Sequence, residues 1–221
     1  NVNKYRKPQP AKKQGKVHVV NFSSYTRPEV KEVQNRDWVE YGEDNDYFQY
    51  LIDRYNGSPT NNAAINGIAD MIYGKGLDAV DGDSKPEQYA EMKSLFSKKC
   101  LKSVCYDYKM MGNAAFQVIY SKDRSRIARV EHIPVQTLRA EKADAKGKIN
   151  AYYYSNDWSE VSNSKKNVKR IPAFGCSKEN IEIVYIKPYK AGYFYYSPVD
   201  YQGGIQYAEL EEEIANYHIN N

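Results

Sequence analysis

Cysteine is scarce in this 221-residue chain: Cys100, Cys105 and Cys176 are the only three, and the number is odd. The first two stand five apart in a helical pattern and so point to different sides, and no Cys-x-x-Cys occurs. That argues against a disulfide framework and against zinc spacing. Three small buried hydrophobes in a reducing compartment are the simpler reading. Long apolar runs are missing too, and nothing approaches the ~18 residues of a membrane span. The first sixteen residues carry charge without an apolar stretch, so no secretory signal is expected there. The Asn21-Phe22-Ser23 sequon then carries no weight.

Catalytic signatures are equally thin. His18, His132 and His218 lie far apart without a local partner, and neither His-x-x-x-His nor Gly-x-Ser-x-Gly appears. Gly74-Lys75-Gly76 resembles part of a phosphate loop, but Gly67 is at the wrong spacing and Gly76 replaces the magnesium-binding hydroxyl residue. The acidic groups at Glu43, Asp44 and Asp46 and at Asp78, Asp81 and Asp83 lack the ligand ladder of a calcium loop. The expectation is therefore no catalytic residue, no metal ligand and no cofactor. A hydrolase with paired carboxylates stays open, because any two acids can meet once the chain folds.

What the chain has in quantity is tyrosine, 22 residues. Tyr combines a broad apolar face with a polar tip, which suits both strands and subunit contacts. Two groups are dense, Tyr152-Tyr153-Tyr154 and Tyr193, Tyr195 and Tyr196. Consecutive residues of a strand face opposite ways, so part of each group must leave the main core side. Tyr153, Tyr193, Tyr195 and Tyr196 are accordingly candidates for a subunit interface. The stretch 187–196, KPYKAGYFYY, interleaves aromatics with lysines and could stack single-stranded bases, though it has no arginine. Net charge is +4 and unevenly placed: Lys4, Arg6, Lys7, Lys12, Lys13 and Lys16 occupy the first sixteen residues with no acid among them. Residues 1–16 read as a flexible basic arm, either solvated or a contact for DNA or an acidic protein surface.

Residues 17–221 read as an α+β body. A short strand is expected at 17–22 and a helix over 46–55. A second helix is capped by Ser58, opened by Pro59, lined by Ala64, Ile65, Ile68, Met71 and Ile72, and stopped by Gly74 and Gly76. Gly67 inside it implies close approach by another element. From Pro86 to Gly112 the residues Tyr89, Met92, Phe96, Cys100, Val104, Tyr108 and Met111 predict one long helix of about 40 Å with a continuous core stripe. The period then changes to alternation, predicting a mainly antiparallel β region with strands over 115–120, 127–133, 149–154 and 181–186. A final helix begins near Ile205. Its Glu209, Glu211, Glu212 and Glu213 read as a solvated face, and its want of a stop signal suggests part of a larger protein.

Several of these residues together resemble a known family. They are Tyr50-Leu51-Ile52-Asp53 with Tyr55-Asn56, Ser58-Pro59-Thr60, Ile65-Asn66-Gly67, and Ile72 with Gly74-Lys75-Gly76-Leu77. Asp107 and Gly112-Asn113-Ala114 follow, and the series closes with Tyr196, Pro198, Asp200-Tyr201, Gly203, Glu209-Leu210 and Glu213-Ile214-Ala215-Asn216-Tyr217-His218. In order and spacing over residues 17–221 the chain resembles the N-terminal, wing part of tailed-phage portal proteins, most of all those of phages of Bacteroidetes-type hosts. The resemblance implies a structural head-to-tail connector subunit of the virion, assembled in the host cytoplasm. It implies a ring, usually a dodecamer, at one capsid vertex, through which double-stranded DNA is packaged and ejected. Implied partners are further copies, the major capsid protein, and the terminase and head-tail adaptor through stem, clip and crown parts beyond Asn221. The alternative is a phage tail or host-surface carbohydrate-binding module that stacks sugars on its tyrosines.

Overall fold

Ser58 and Pro59 set the first corner of the computed structural model, which describes residues 27–161 and 168–220. The first helix, α1 (Tyr47–Gly57), gives way at Ser58 to extended backbone, and the Ser58 hydroxyl accepts the Asn61 N–H at 3.1 Å. This satisfies one of the free donors that open α2 (Pro59–Tyr73), while Pro59 fills a position whose N–H would have no partner. Gly74 and Gly76, at φ +51° and +86°, take the chain out of α2 in conformations that residues with a Cβ rarely adopt.

The long helix expected from Pro86 to Gly112 is two helices, α3 (Pro86–Leu95) and α4 (Lys98–Met111). Phe96 and Ser97 between them are extended, and the Ser97 hydroxyl takes the Cys100 N–H at 3.1 Å. A serine offered this local bond competes with helix continuation. The core stripe is shortened accordingly. No residue of α3 is buried, whereas α4 buries Cys100, Val104, Met110 and Met111. The close approach expected at Gly67 is also elsewhere: a methyl group there would meet nothing within 4 Å, but one on Gly112 would stand 2.8 Å from the Ser197 and Pro198 carbonyl oxygens.

The strands are β1 (Val30–Glu32), β2 (Val39–Tyr41), β3 (Ala114–Tyr120), β4 (Ile127–His132), β5 (Leu138–Ala140), β6 (Ala151–Tyr154), β7 (Lys169–Pro172) and β8 (Ile181–Ile186). They form three antiparallel groups: β1–β2, β4–β3–β8 and β5–β6–β7. Single bridges from Trp38 to Glu141 and from Ala173 to Ile183 tie the groups together. The α+β class and antiparallel body match expectation. The strand expected at 17–22 lies outside the described residues.

One main core joins helices and sheets through Val39, Tyr41, Phe48, Leu51, Ile65, Met111, Leu138, Ile183 and Tyr196. The last helix, α5 (Ile205–Asn220), enters it with Ile205 and lies against α1. A smaller cluster of Trp38, Tyr153 and Trp158 sits on the other face of β6. Alternation along the tyrosine run explains it. Tyr152 stacks on Tyr185 at 4.8 Å in the main core, while Tyr153 points the opposite way, onto Trp38 at 5.7 Å.

Candidate functional site

Asn113, fully buried just after α4, clamps two distant parts of the chain. Its amide donates to the Met111 and Ser197 carbonyls at 2.7 and 2.8 Å, and its carbonyl oxygen accepts the Ser197 N–H at 3.0 Å. Around this clamp residues 195–201 lock the helices to the sheets. Tyr196 donates to the Val39 carbonyl at 2.6 Å, accepts the Ala140 N–H at 3.0 Å, and stacks on Tyr41 at 4.5 Å. Tyr195 donates to Glu32 at 2.5 Å and accepts the Ala143 N–H at 3.0 Å. Tyr201 donates to the Met110 carbonyl at 2.6 Å, and Lys109 pairs with Asp200 at 2.7 Å.

Those contacts revise the interface expectation. Tyr196 is fully buried, and Tyr153 and Tyr195 are each only 8% exposed, so these three face the chain's own interior. Burial pushes the Tyr196 phenol well above its ordinary value, and it raises Tyr153 to about 12 with the help of Asp37 and Glu141. Tyr193 alone of the four keeps substantial surface, with Arg27 over its ring at 4.2 Å. Lys4, Arg6, Lys7, Lys12, Lys13 and Lys16 lie outside the described residues.

Three of the four acids of α5 form a docking face, contrary to the solvated reading, while Glu213 is exposed. Glu209 accepts the Tyr50 hydroxyl at 2.7 Å, and Glu212 pairs with Arg54 at 3.1 Å. Glu211 accepts the Ser58 hydroxyl and, at 2.8 Å, the Thr60 hydroxyl. These two hydroxyls hold the Glu211 carboxyl below the usual carboxylate range. Gly57 leaves room for the Glu212 carboxylate, which a methyl group there would meet at 2.5 Å. The Gly-Ser-Pro corner is thus the seat of the last helix.

A cleft of about 230 Å³ opens where α2 ends and α4 begins. Its apolar lining is Leu77, Met92, Phe96 and Leu101, and Lys75, Lys93 and Lys98 supply charge. Lys93 donates to the Leu77 carbonyl, and neighbouring Lys102 pairs with Asp70 at 3.0 Å. Lys98 lies in the first turn of α4, which holds no acid to offset the positive end of the helix dipole. Sequence reading set Gly74-Lys75-Gly76 aside for want of nucleotide-loop spacing. Nothing in the sequence marks Lys98, and only folding brings it beside Lys75.

Arg139, Glu182 and Asp107 are internally satisfied. Arg139 is 2% exposed, held by the Asn45, Gln136 and Leu138 carbonyls with the Phe48 and Trp158 rings at 5.3 and 4.9 Å; burial lowers it to about 10. Burial would raise Glu182, but the Gly175 N–H, the Tyr120 and Ser177 hydroxyls and the Arg124 charge hold it below the usual range. Asp107 joins His132 at 2.8 Å to the Val135 N–H at 3.0 Å, fixing α4 to the end of β4. Cys100, Cys105 and Cys176 are free. Among the described residues no three His, Cys, Asp or Glu side chains gather as a metal site, and no helix is long and apolar enough to cross a membrane. No protein-family model matches the chain, and no curated protein matches it.

Proposed function

We propose that this chain is the wing part of a portal subunit of a tailed phage, a structural ring component at the capsid vertex through which DNA passes. One observation carries the reading. Stretches on which the portal resemblance rests are far apart in sequence and adjacent in the fold: Tyr50 donates to Glu209, and Gly112 packs against Pro198. The pairs brace a rigid body, the requirement of a subunit that bears load rather than turning over substrate.

The sugar-stacking alternative needs rows of open rings. Tyr196, Tyr195, Tyr153 and Tyr152 are buried and offer no such platform, which leaves the exposed Tyr189, Phe194 and Tyr207 rings to that reading. Electron microscopy of the natural gene product tests the portal reading. The expected result is a ring with a central channel and this body at its periphery. Particles without rotational symmetry at high concentration would overturn it.

A further inference from the structure

We infer that the cleft where α2 ends and α4 begins holds an acidic peptide segment of a partner protein, anchored by one aliphatic or aromatic side chain. The inference rests on the cleft itself and is independent of the ring reading.

The apolar side of α3 supplies the first argument. No residue of this helix is buried, yet Tyr89 and Met92, with Phe96 just beyond, recur at spacings of three and four and so share one side. Met92 and Phe96 look into the cleft, where the chain's own cover of Tyr73, Leu77 and Leu101 leaves about 230 Å³ unfilled. A helix draws most of its stability from covering such a side, and a side chain seated in the cleft would complete the cover. The gap is already shaped. Lys93 donates to the Leu77 carbonyl, and Tyr89 donates to Asp78 at 2.9 Å, tying α3 to the chain that leaves α2. A ligand therefore meets little ordering cost. The volume falls below the ~300–1,000 Å³ of small-molecule pockets, which suits one side chain better than a cofactor.

Charge supplies the second. Lys75 and Lys98 both line the cleft and are exposed, and neither side chain makes a hydrogen bond or ion pair among the described residues. Lys98 also stands at the positive end of the α4 dipole, where its own helix repels it and an arriving carboxylate would relieve it. Nucleic acid fits less well. The rings that a base would stack on are already engaged: Lys102 lies over Tyr73 and Lys93 over Tyr89, each at 5.2 Å, and Phe96 meets Phe116 edge to face at 5.5 Å. No arginine lines the cleft, and Asp70 and Asp78 close by break up the positive field that a phosphate backbone follows. Spaced carboxylates around an apolar anchor match what remains.

A fluorescein-labelled peptide, Glu-Glu-Phe-Glu-Glu, tests this on the natural gene product by fluorescence anisotropy. It should bind, and Lys75→Gln/Lys98→Gln should weaken it by about tenfold, with circular dichroism establishing that the variant is folded. Lys99→Gln, exposed on α4 outside the cleft, should leave binding unchanged. Serine in place of the peptide's Phe should weaken binding by about tenfold too. With methyl-labelled methionine, the Met92 resonance, assigned through Met92→Leu, should shift on binding while those of the buried Met110 and Met111 stay. No binding at millimolar peptide, undiminished binding by the lysine-pair variant, or an unmoved Met92 resonance would overturn the proposal. A short oligothymidylate that bound more tightly and shifted the same resonance would overturn it in favour of nucleic acid.

Discussion

Gly112 holds φ at +66°, and a methyl group there would press on two backbone oxygens that cannot rotate away, those of Ser197 and Pro198. Gly112→Ala should cost about 2–4 kcal/mol, the sum of left-handed strain and overpacking. Gly67 is the converse. It lies inside α2 with nothing within 4 Å of a built Cβ, so Gly67→Ala should stabilise the protein by about 1 kcal/mol through helix propensity alone. Urea unfolding of the two variants checks both signs, and a destabilised Gly67→Ala would show that the outer face of α2 is packed after all. Sequence reading placed the close approach at the wrong glycine. A glycine within a helical pattern shows that some constraint was relaxed there, but only the fold says whether another backbone lies opposite.

At the scale of elements, strong periodicity was legible and local competition was not. β3, β4, β6 and β8 lie where alternation predicted them, and α2 has the cap, proline and glycine stop that its sequence announces. The break at Phe96-Ser97 was hidden because apolar spacing continues across it while one serine hydroxyl captures the Cys100 N–H. β5 and β7 escaped notice because each is only three or four residues long, and β5 carries the buried Arg139 at its centre. The acids of α5 were read as solvated because their partners, Tyr50, Arg54, Ser58 and Thr60, lie some 150 residues away in sequence. The cleft was illegible for the same reason. That docking has a pH dependence of definite sign. The Ser58 and Thr60 hydroxyls lower the Glu211 carboxyl in the folded state, so its contribution is complete above the ordinary Glu range and is lost as pH falls through the depressed folded value. Hydrogen exchange should show α5 losing protection in that acid window before β3 does. Glu211→Gln should weaken protection at neutral pH and flatten the acid dependence; an acid profile unchanged by the substitution would remove Glu211 from the account.

For the whole molecule the tyrosine content, plain in the sequence, has a consequence that only burial reveals. Burial first, and neighbouring acids or phenols second, push Tyr50, Tyr152, Tyr153, Tyr185 and Tyr201 above their ordinary range, and burial does the same to Tyr196 against the Arg139 charge and the Ala140 N–H. These groups come from α1, β6, β8 and the segment before α5, so they report on the packing of helices against sheets as a unit. The sign follows from linkage. Each folded phenol holds its proton to a higher pH than the unfolded one, whose value is about 10. Stability from these groups is therefore complete below that value and falls as pH rises through the folded values, about 12 for Tyr153. Stability in urea should stay level towards pH 10 and then drop steeply. Tyrosinate absorbance should rise in two stages, the second coinciding with loss of helical circular dichroism, because the buried rings ionise only as the core opens. A single stage complete near pH 10 with the circular dichroism still native would mean that solvent reaches these rings in the folded state. Tyr196 could not then be the sealed junction on which the rigidity of the body rests.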